Sequence, residues 1–248
     1  MKNLTIRQFS ALDYAGTEAL NTLCTNLSFS GENISKIMLT SSGASEGKSF
    51  VSMNIMRTMA KLGYSVALVD ADMRRSTLIS RYGMEFEAGD SGAGLSHFLA
   101  GRAEIEDVVY RTNIDGAFLV PAGRLVSNSL PLLVSHRFGD LLDYLARSVD
   151  YVLVDAPPIG ALIDGAQIAK SCDGTLIVVN YNQVHRRELI EVKEQIEQTG
   201  CMILGTVLNQ VDMKNYIGRK YYYKSYYSNY DVESRGQKGS ARRKVRKK

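Results

Sequence analysis

The stretch Ser42-Gly43-Ala44-Ser45-Glu46-Gly47-Lys48-Ser49 limits what this chain can fold into more than any other. It follows an apolar run, Ile37-Met38-Leu39-Thr40, and opens a segment of helical spacing from Lys48 to about Leu62. A strand, a loop of small residues ending in Gly-Lys-Ser and then a helix make a phosphate site. Backbone N–H groups surround the anion at the helix N-terminus, the lysine reaches the outer phosphates and the hydroxyl binds Mg²⁺. These residues point to a bound nucleotide. The full pattern has glycine where Ser42 stands, and Gly43 is taken to supply the flexibility one step later.

The rest of the chain alternates strands with helices. From about Asp13 to Phe29, Leu20, Leu23 and Leu27 recur at the spacing of one helix face, which predicts a helix before the first strand. Gly63 closes the helix after the loop, and Val66-Ala67-Leu68-Val69 is a continuous apolar run of the kind buried on both faces of a parallel sheet. It ends in Asp70-Ala71-Asp72, whose two carboxylates project the same way from an extended chain. Residues 83–94 read as a surface loop, Leu95 to Tyr110 as helical, Ala117 to Val120 as a short strand and Leu132 to Val149 as an amphipathic helix. Tyr151-Val152-Leu153-Val154 is a strand closed by Asp155. Two further strands, 176–179 and 203–208, flank a charged helix from about Arg186 to Thr199.

This alternation implies right-handed crossovers and an α/β fold, a mostly parallel sheet with helices on both faces. Ligands of such sheets bind beyond the carboxyl ends of the strands, where the Gly-Lys-Ser loop, Asp70, Asp72 and Asp155 all fall. The expected organisation is an N-terminal helical segment over 1–31, a nucleotide-binding domain over 32–212 and a tail over 213–248.

At 248 residues and 45% hydrophobic, the chain can bury a substantial core. It shows no run of roughly 18–20 apolar residues and no apolar signal core after Met1, so a cytosolic chain is expected. Cys24, Cys172 and Cys201 lack metal-ligand spacing and read as thiols without function. The formal charge of +4 is uneven: residues 238–248 carry seven Lys or Arg and no acid, which leaves −3 for the rest. That balance argues against a nucleic-acid partner.

Seven of the fourteen tyrosines, Tyr216, Tyr221, Tyr222, Tyr223, Tyr226, Tyr227 and Tyr230, lie within fifteen residues. The interleaved Lys220, Lys224, Ser225, Ser228 and Asn229 break any apolar alternation, so the cluster is no core strand.

The run Val66 to Arg75, with its Asp-Ala-Asp-Met-Arg-Arg, resembles the second nucleotide motif of the bacterial tyrosine kinases (BY-kinases) of capsule and exopolysaccharide synthesis. Tyr151 to Pro158 resembles their Walker B segment, Gly94 to Gly101 another family stretch, and the C-terminal tyrosines their acceptor cluster. The related MinD/ParA ATPases resemble one another in a leading loop lysine, and Gly43 stands at that position here.

The resemblance implies a P-loop NTPase fold and an autokinase that uses ATP and Mg²⁺ to phosphorylate its own tyrosine cluster, Tyr216 to Tyr230, in trans. The catalytic set is Lys48, Asp70, Asp72 and Asp155. Gly43, Ala44, Ser45, Glu46, Gly47, Lys48 and Ser49 are expected to hold the phosphates, and Asn209 to read the adenine edge. Ser49, Asp70 and Asp155 are the metal set. Asp70 is assigned as the base and Asp72 to the metal's water shell, with the reverse left open. Arg74 pairs with phosphate or with an acidic neighbour, or else is a surface arginine.

Expected partners are a membrane-embedded polysaccharide co-polymerase that activates the chain, a cognate tyrosine phosphatase and further copies of the chain, placing it at the inner face of the plasma membrane. The family's Glu-x-x-Arg-x-x-Arg, which joins subunits in a ring, survives only as Glu18, with Asn21 and Cys24 in place of the arginines. Asn128-Ser129-Leu130-Pro131 also departs from the family's Asn-Pro-x-Glu. The basic tail is a candidate for an anionic leaflet. The alternatives are a MinD/ParA-like positioning ATPase and a nucleotide-binding regulatory scaffold with weak catalysis.

Overall fold

A computed structural model describes residues 1–31, 33–181 and 183–211. The chain divides into a unit Met1–Asn209 and a unit Gln210–Lys248, and of the second only Gln210 and Val211 are described. The tyrosine cluster, the basic tail and the tail boundary at 213 lie outside the described residues.

The first unit runs β1 (Lys2–Ile6), α1 (Tyr14–Ser28), β2 (Lys36–Ser41), α2 (Lys48–Lys61), β3 (Val66–Asp70), α3 (Leu78–Arg81) and β4 (Met84–Phe86). It continues through α4 (Leu95–Leu99), α5 (Ile105–Val108), β5 (Tyr110–Thr112), β6 (Ala117–Val120), α6 (Leu130–Leu133) and α7 (His136–Ala146). It closes with β7 (Tyr151–Asp155), α8 (Ile163–Ala169), β8 (Gly174–Asn180), α9 (Arg186–Glu197) and β9 (Met202–Asn209).

The nine strands form one sheet in the order β4-β1-β5-β6-β3-β7-β2-β8-β9. From β6 to β9 every neighbour is parallel, β5 is antiparallel to β6, and β1 is parallel to β5 but antiparallel to β4.

Alternation along each central strand feeds two separate cores, because successive side chains leave a strand on opposite faces. Ile37, Leu39, Leu68, Leu153 and Leu176 enter the core under α1 and α2, while Met38, Val69, Val154 and Ile177 enter the core that carries residues of α4, α7, α8 and α9. Burial on both faces is why these strands are apolar without interruption.

Starting at β2, the chain crosses through α2 to β3 and leaves one place open. β7 later fills it, after which β8 and β9 add on the far side of β2. The winding reverses there, so the carboxyl ends of β3, β7 and β2 border a crevice.

Several expectations change. Residues 1–31 are not solely helical: Leu4 and Ile6, both buried, place β1 inside the sheet. Two apolar residues alternating over five positions is a short signal. The segment 83–94 contains β4, which pairs with β1. Leu95 to Tyr110 is two short helices interrupted at Gly101, whose φ of 68° suits glycine, and Tyr110 opens β5. The helix expected over Leu132 to Val149 breaks at Val134-Ser135. Cys24 is fully buried under α2, so position 24 faces the interior. All three cysteines are free and buried. Among the described residues no helix is long and apolar enough to cross a membrane.

If β1 is part of the sheet, Leu4→Ala, at a side chain only 1% exposed, lowers the unfolding free energy by about 2–4 kcal/mol in urea denaturation. Thr5→Ala, on the other face of the strand, costs less than about 1 kcal/mol.

Candidate active site

The loop between β2 and α2 turns into the helix at Gly47, with φ of 91°, so that position needs glycine. Ser45 also has a positive φ, 63°, a conformation that costs a residue with a Cβ about 1 kcal/mol. What holds the loop in this shape is Glu46, buried at 4% exposure. One carboxylate oxygen accepts from the Ser42 hydroxyl at 2.6 Å and from the Gly43 N–H; the other accepts from the Asn180 N–H at 3.2 Å. The Glu46 carbonyl accepts from Asn209 Nδ2 at 2.9 Å.

Ser42 thus has work that glycine could not do. The Gly43 N–H, expected to face phosphate, is engaged by Glu46, and the Asn209 amide, expected at an adenine edge, ties the loop to β9. The first turn of α2 adds N–H donors that lack intrahelical partners. Gly160, after β7, lies so close to the Ser42 carbonyl that a Cβ there would overlap it.

Lys48 begins α2 with its side chain folded back over the loop: Nζ donates to Ser41 Oγ at 2.9 Å and reaches the Gly43 carbonyl at 3.5 Å. At 8% exposure, desolvation lowers its pKa, against the opposing pull of Asp155, Asp72 and Glu46.

Asp70 and Asp155 are direct register partners on β3 and β7, each 1% exposed. Burial raises Asp155 to about 6, opposed chiefly by a hydrogen bond with Ser49 and by the charge of Lys48. Ser52 Oγ lies 3.1 Å from Asp155 Oδ1 and 2.9 Å from the Lys48 carbonyl. Asp70 is raised well above the carboxylate range by burial first and the charge of Asp155 second. One of its oxygens accepts from Ser76 Oγ, and the other has no hydrogen-bond partner. Asp72 is half-buried, accepts from the Arg75 N–H at 3.0 Å and lines the cleft, which Asp70 does not.

The cleft has a volume of about 660 Å³. Its walls come from the loop and start of α2 (Ala44 to Ser49), from the segment after β3 (Asp72 to Arg81), and from Pro158, Ala161 and Leu162 after β7.

Arg74 is held from beneath by an acidic neighbour. Its Nε and Nη2 meet the two oxygens of Asp164 at 2.8 and 2.9 Å, and Nη1 donates to the Ser127 carbonyl at 2.7 Å. Ser129, in the segment that departs from the family pattern, joins Arg74 Nε at 3.0 Å and Asp164. The buried Asp164 is held below the usual carboxylate range by Arg74 and Ser129 against the cost of burial.

Sequence reasoning missed Asp164, Ser129, Ser41, Ser52 and Ser76. Asp164 comes from α8, a helix that no strong periodicity announced, and the serines carry no spacing signal.

Among the described residues no three His, Cys, Asp or Glu side chains form a ready-made metal cage. That suits Mg²⁺, which binds through one or two carboxylates, water and substrate phosphates. The Ser49–Asp155 contact and the partnerless Asp70 oxygen fit such an ion.

Comparison with known proteins gives concordant findings. A family profile described as an AAA domain matches residues 35–204. The chain is 37% identical over 213 residues to tyrosine-protein kinase CpsD of Streptococcus pneumoniae, covering 86% of this chain and 91% of that one. It superposes on the kinase domain of Escherichia coli tyrosine kinase ETK with a TM-score of 0.71 at 30% identity, over 79% of this chain and 76% of that one. The septum site-determining protein MinD of Pyrococcus horikoshii, solved with Mg-ADP, shares the fold: TM-score 0.60 at 21% identity, over 72% and 71% of the two chains.

A group whose folded pKa is raised stabilises the fold below its unfolded value and loses that contribution as pH rises through the folded value. For Asp155 the window runs from its ordinary 3.8 to about 6. Relative to the parent, ligand-free Asp155→Asn therefore gains stability between pH 4 and pH 7, by roughly 2–3 kcal/mol over that window in urea denaturation. A stability difference that stays constant with pH would contradict the burial of this charge.

Proposed function

The chain belongs to the AAA domain family and, within it, to the bacterial tyrosine-protein kinases, and on that premise we propose how its own residues transfer a phosphoryl group from ATP to tyrosine. It is a protein-tyrosine kinase of α/β P-loop architecture. The observation that carries the reading is that Asp70 and Asp155 end adjacent parallel strands where Lys48, the first residue of α2, folds back over the loop after β2.

Phosphoryl transfer needs positioning and charge neutralisation more than covalent chemistry. The N–H groups of the first turn of α2 hold the phosphates, and Lys48 swings from Ser41 to the outer ones. Ser49 and Asp155 would hold Mg²⁺, with Asp70 the register partner of Asp155. A bound Mg²⁺ would supply the positive charge that offsets phosphate and carboxylate. Asp72 accepts the tyrosine hydroxyl proton. It lines the cleft, whereas Asp70 is buried against Ser76. This exchanges the two roles first anticipated for these residues. The Arg74–Asp164 fork fixes the segment that carries Asp72.

The acceptors are the tyrosines from Tyr216 to Tyr230, supplied by another copy of the chain. The setting is capsule or exopolysaccharide synthesis at the inner face of the plasma membrane, with a membrane-embedded co-polymerase as activator and a tyrosine phosphatase as antagonist. Assembly of copies uses contacts other than an arginine pair on α1. There Asn21 donates to Glu18 at 3.3 Å within the same helix and Cys24 is interior.

Incubation with ATP and Mg²⁺ followed by mass spectrometry places phosphate on residues 216–230 of the parent and none on Lys48→Met. No phosphotyrosine there, even with the activating partner present, would sink the reading. Asp72→Asn retains ATP affinity and lowers the transfer rate by about 10²–10⁴. An equal loss in ATP binding would place Asp72 on the nucleotide instead.

A further inference from the structure

The cleft runs past the nucleotide loop onto a wall that carries Asp72, Arg75, Thr77 and Arg81. Arg74 on the same segment is committed to Asp164, and Arg7 and Arg187 elsewhere are paired with Glu85 and Glu191. Arg75 and Arg81 line the cleft, are exposed, and have no ion pair with an acid among the described residues, a state that other surface arginines share away from the cleft. Two uncommitted guanidinium groups beside the residue that faces the acceptor make a site for an anion with several oxygens.

The acceptor sequence supplies a reason for such a site. Residues 216–230 carry Arg219, Lys220 and Lys224 and no acid, so the unmodified segment is repelled by Arg75 and Arg81. One phosphorylation adds about −1.5 to −2 charges, which cancels half or more of the segment's +3 and sets a local dianion for the guanidinium groups to attract. The tyrosines are close enough for one to be read while another reacts. Tyr221 and Tyr223 are two apart in the sequence, with Tyr222 between them.

We infer that Arg75 and Arg81 form a phosphate-reading subsite that receives a phosphotyrosine already present in the acceptor segment while a neighbouring tyrosine sits at Asp72. The preferred substrate is then a primed peptide, and modification of the cluster accelerates after its first event. This inference rests on the tyrosine-kinase reading and adds a preference among acceptors.

The test uses the full-length chain with its seven cluster tyrosines changed to Phe, Mg·ATP, and two peptides of residues 216–230, one unmodified and one phosphorylated at the position of Tyr223. The primed peptide has a KM about tenfold lower, with kcat within about twofold, and added salt shrinks the advantage. The double variant Arg75→Ala/Arg81→Ala loses the preference while its KM for ATP stays put. Equal KM values in the parent, a preference that survives in the double variant, or a raised KM for ATP in that variant would each overturn the subsite. Fluorescence anisotropy of the same labelled peptides on the Mg·ADP form separates the two readings. Tighter binding of the primed peptide with no transfer to either peptide, even with the activating partner present, supports the subsite and sinks the kinase reading; equal binding sinks the subsite.

Discussion

Asp70 and Asp155 are buried side by side at the ends of adjacent parallel strands, and the charge of Lys48 acts on Asp155 but does little for Asp70. Removing carboxylates from water is costly unless each is paired. Here the pairing is incomplete, since one Asp70 oxygen has no hydrogen-bond partner. The sheet around them explains how the arrangement persists: β3, β7 and β2 are packed on both faces and their register leaves these side chains nowhere else to go. The cost is met by the two cores, and it is recovered when cationic charge and phosphate oxygens enter the crevice.

The same economy of placement governs the loop. Its glycine-poor sequence keeps its shape through a buried carboxylate, Glu46, that gathers donors from Ser42, Gly43 and β8 and is itself tied to β9. A loop held by these four hydrogen bonds changes little on binding, so the phosphate site is formed before its ligand arrives. Outside it, the Arg74–Asp164 fork does for the Asp72 segment what Glu46 does for the loop.

Much of this was legible in the amino-acid sequence because doubly buried strands leave unbroken apolar runs. Val66 to Val69 and Tyr151 to Val154 were visible as strands, and the acid ending each was visible as a site residue. The Gly-Lys-Ser turn was visible because Gly47 must adopt a positive φ. What stayed hidden depends on tertiary contact. β1 shows two apolar residues and gains its place only through β4 and β5. Asp164 and Ser129 come from segments far apart in the chain and meet only when Arg74 joins them. Whether Asp70 or Asp72 faces the cleft could not follow from a spacing of two, which places both on one side of a strand; the chain leaves β3 at Asp70, and Asp72 turns outward.

The most direct test of a site strained by its own buried charge compares unfolding of the parent and Asp70→Asn by chemical denaturation at pH 8, with and without Mg·ADP. Asn keeps the shape and the Ser76 contact but removes the charge. The ligand-free variant should be the more stable of the two, and saturating Mg·ADP should stabilise the parent more than the variant. A parent that is more stable without ligand, or equal gains from ligand in both chains, would contradict the account.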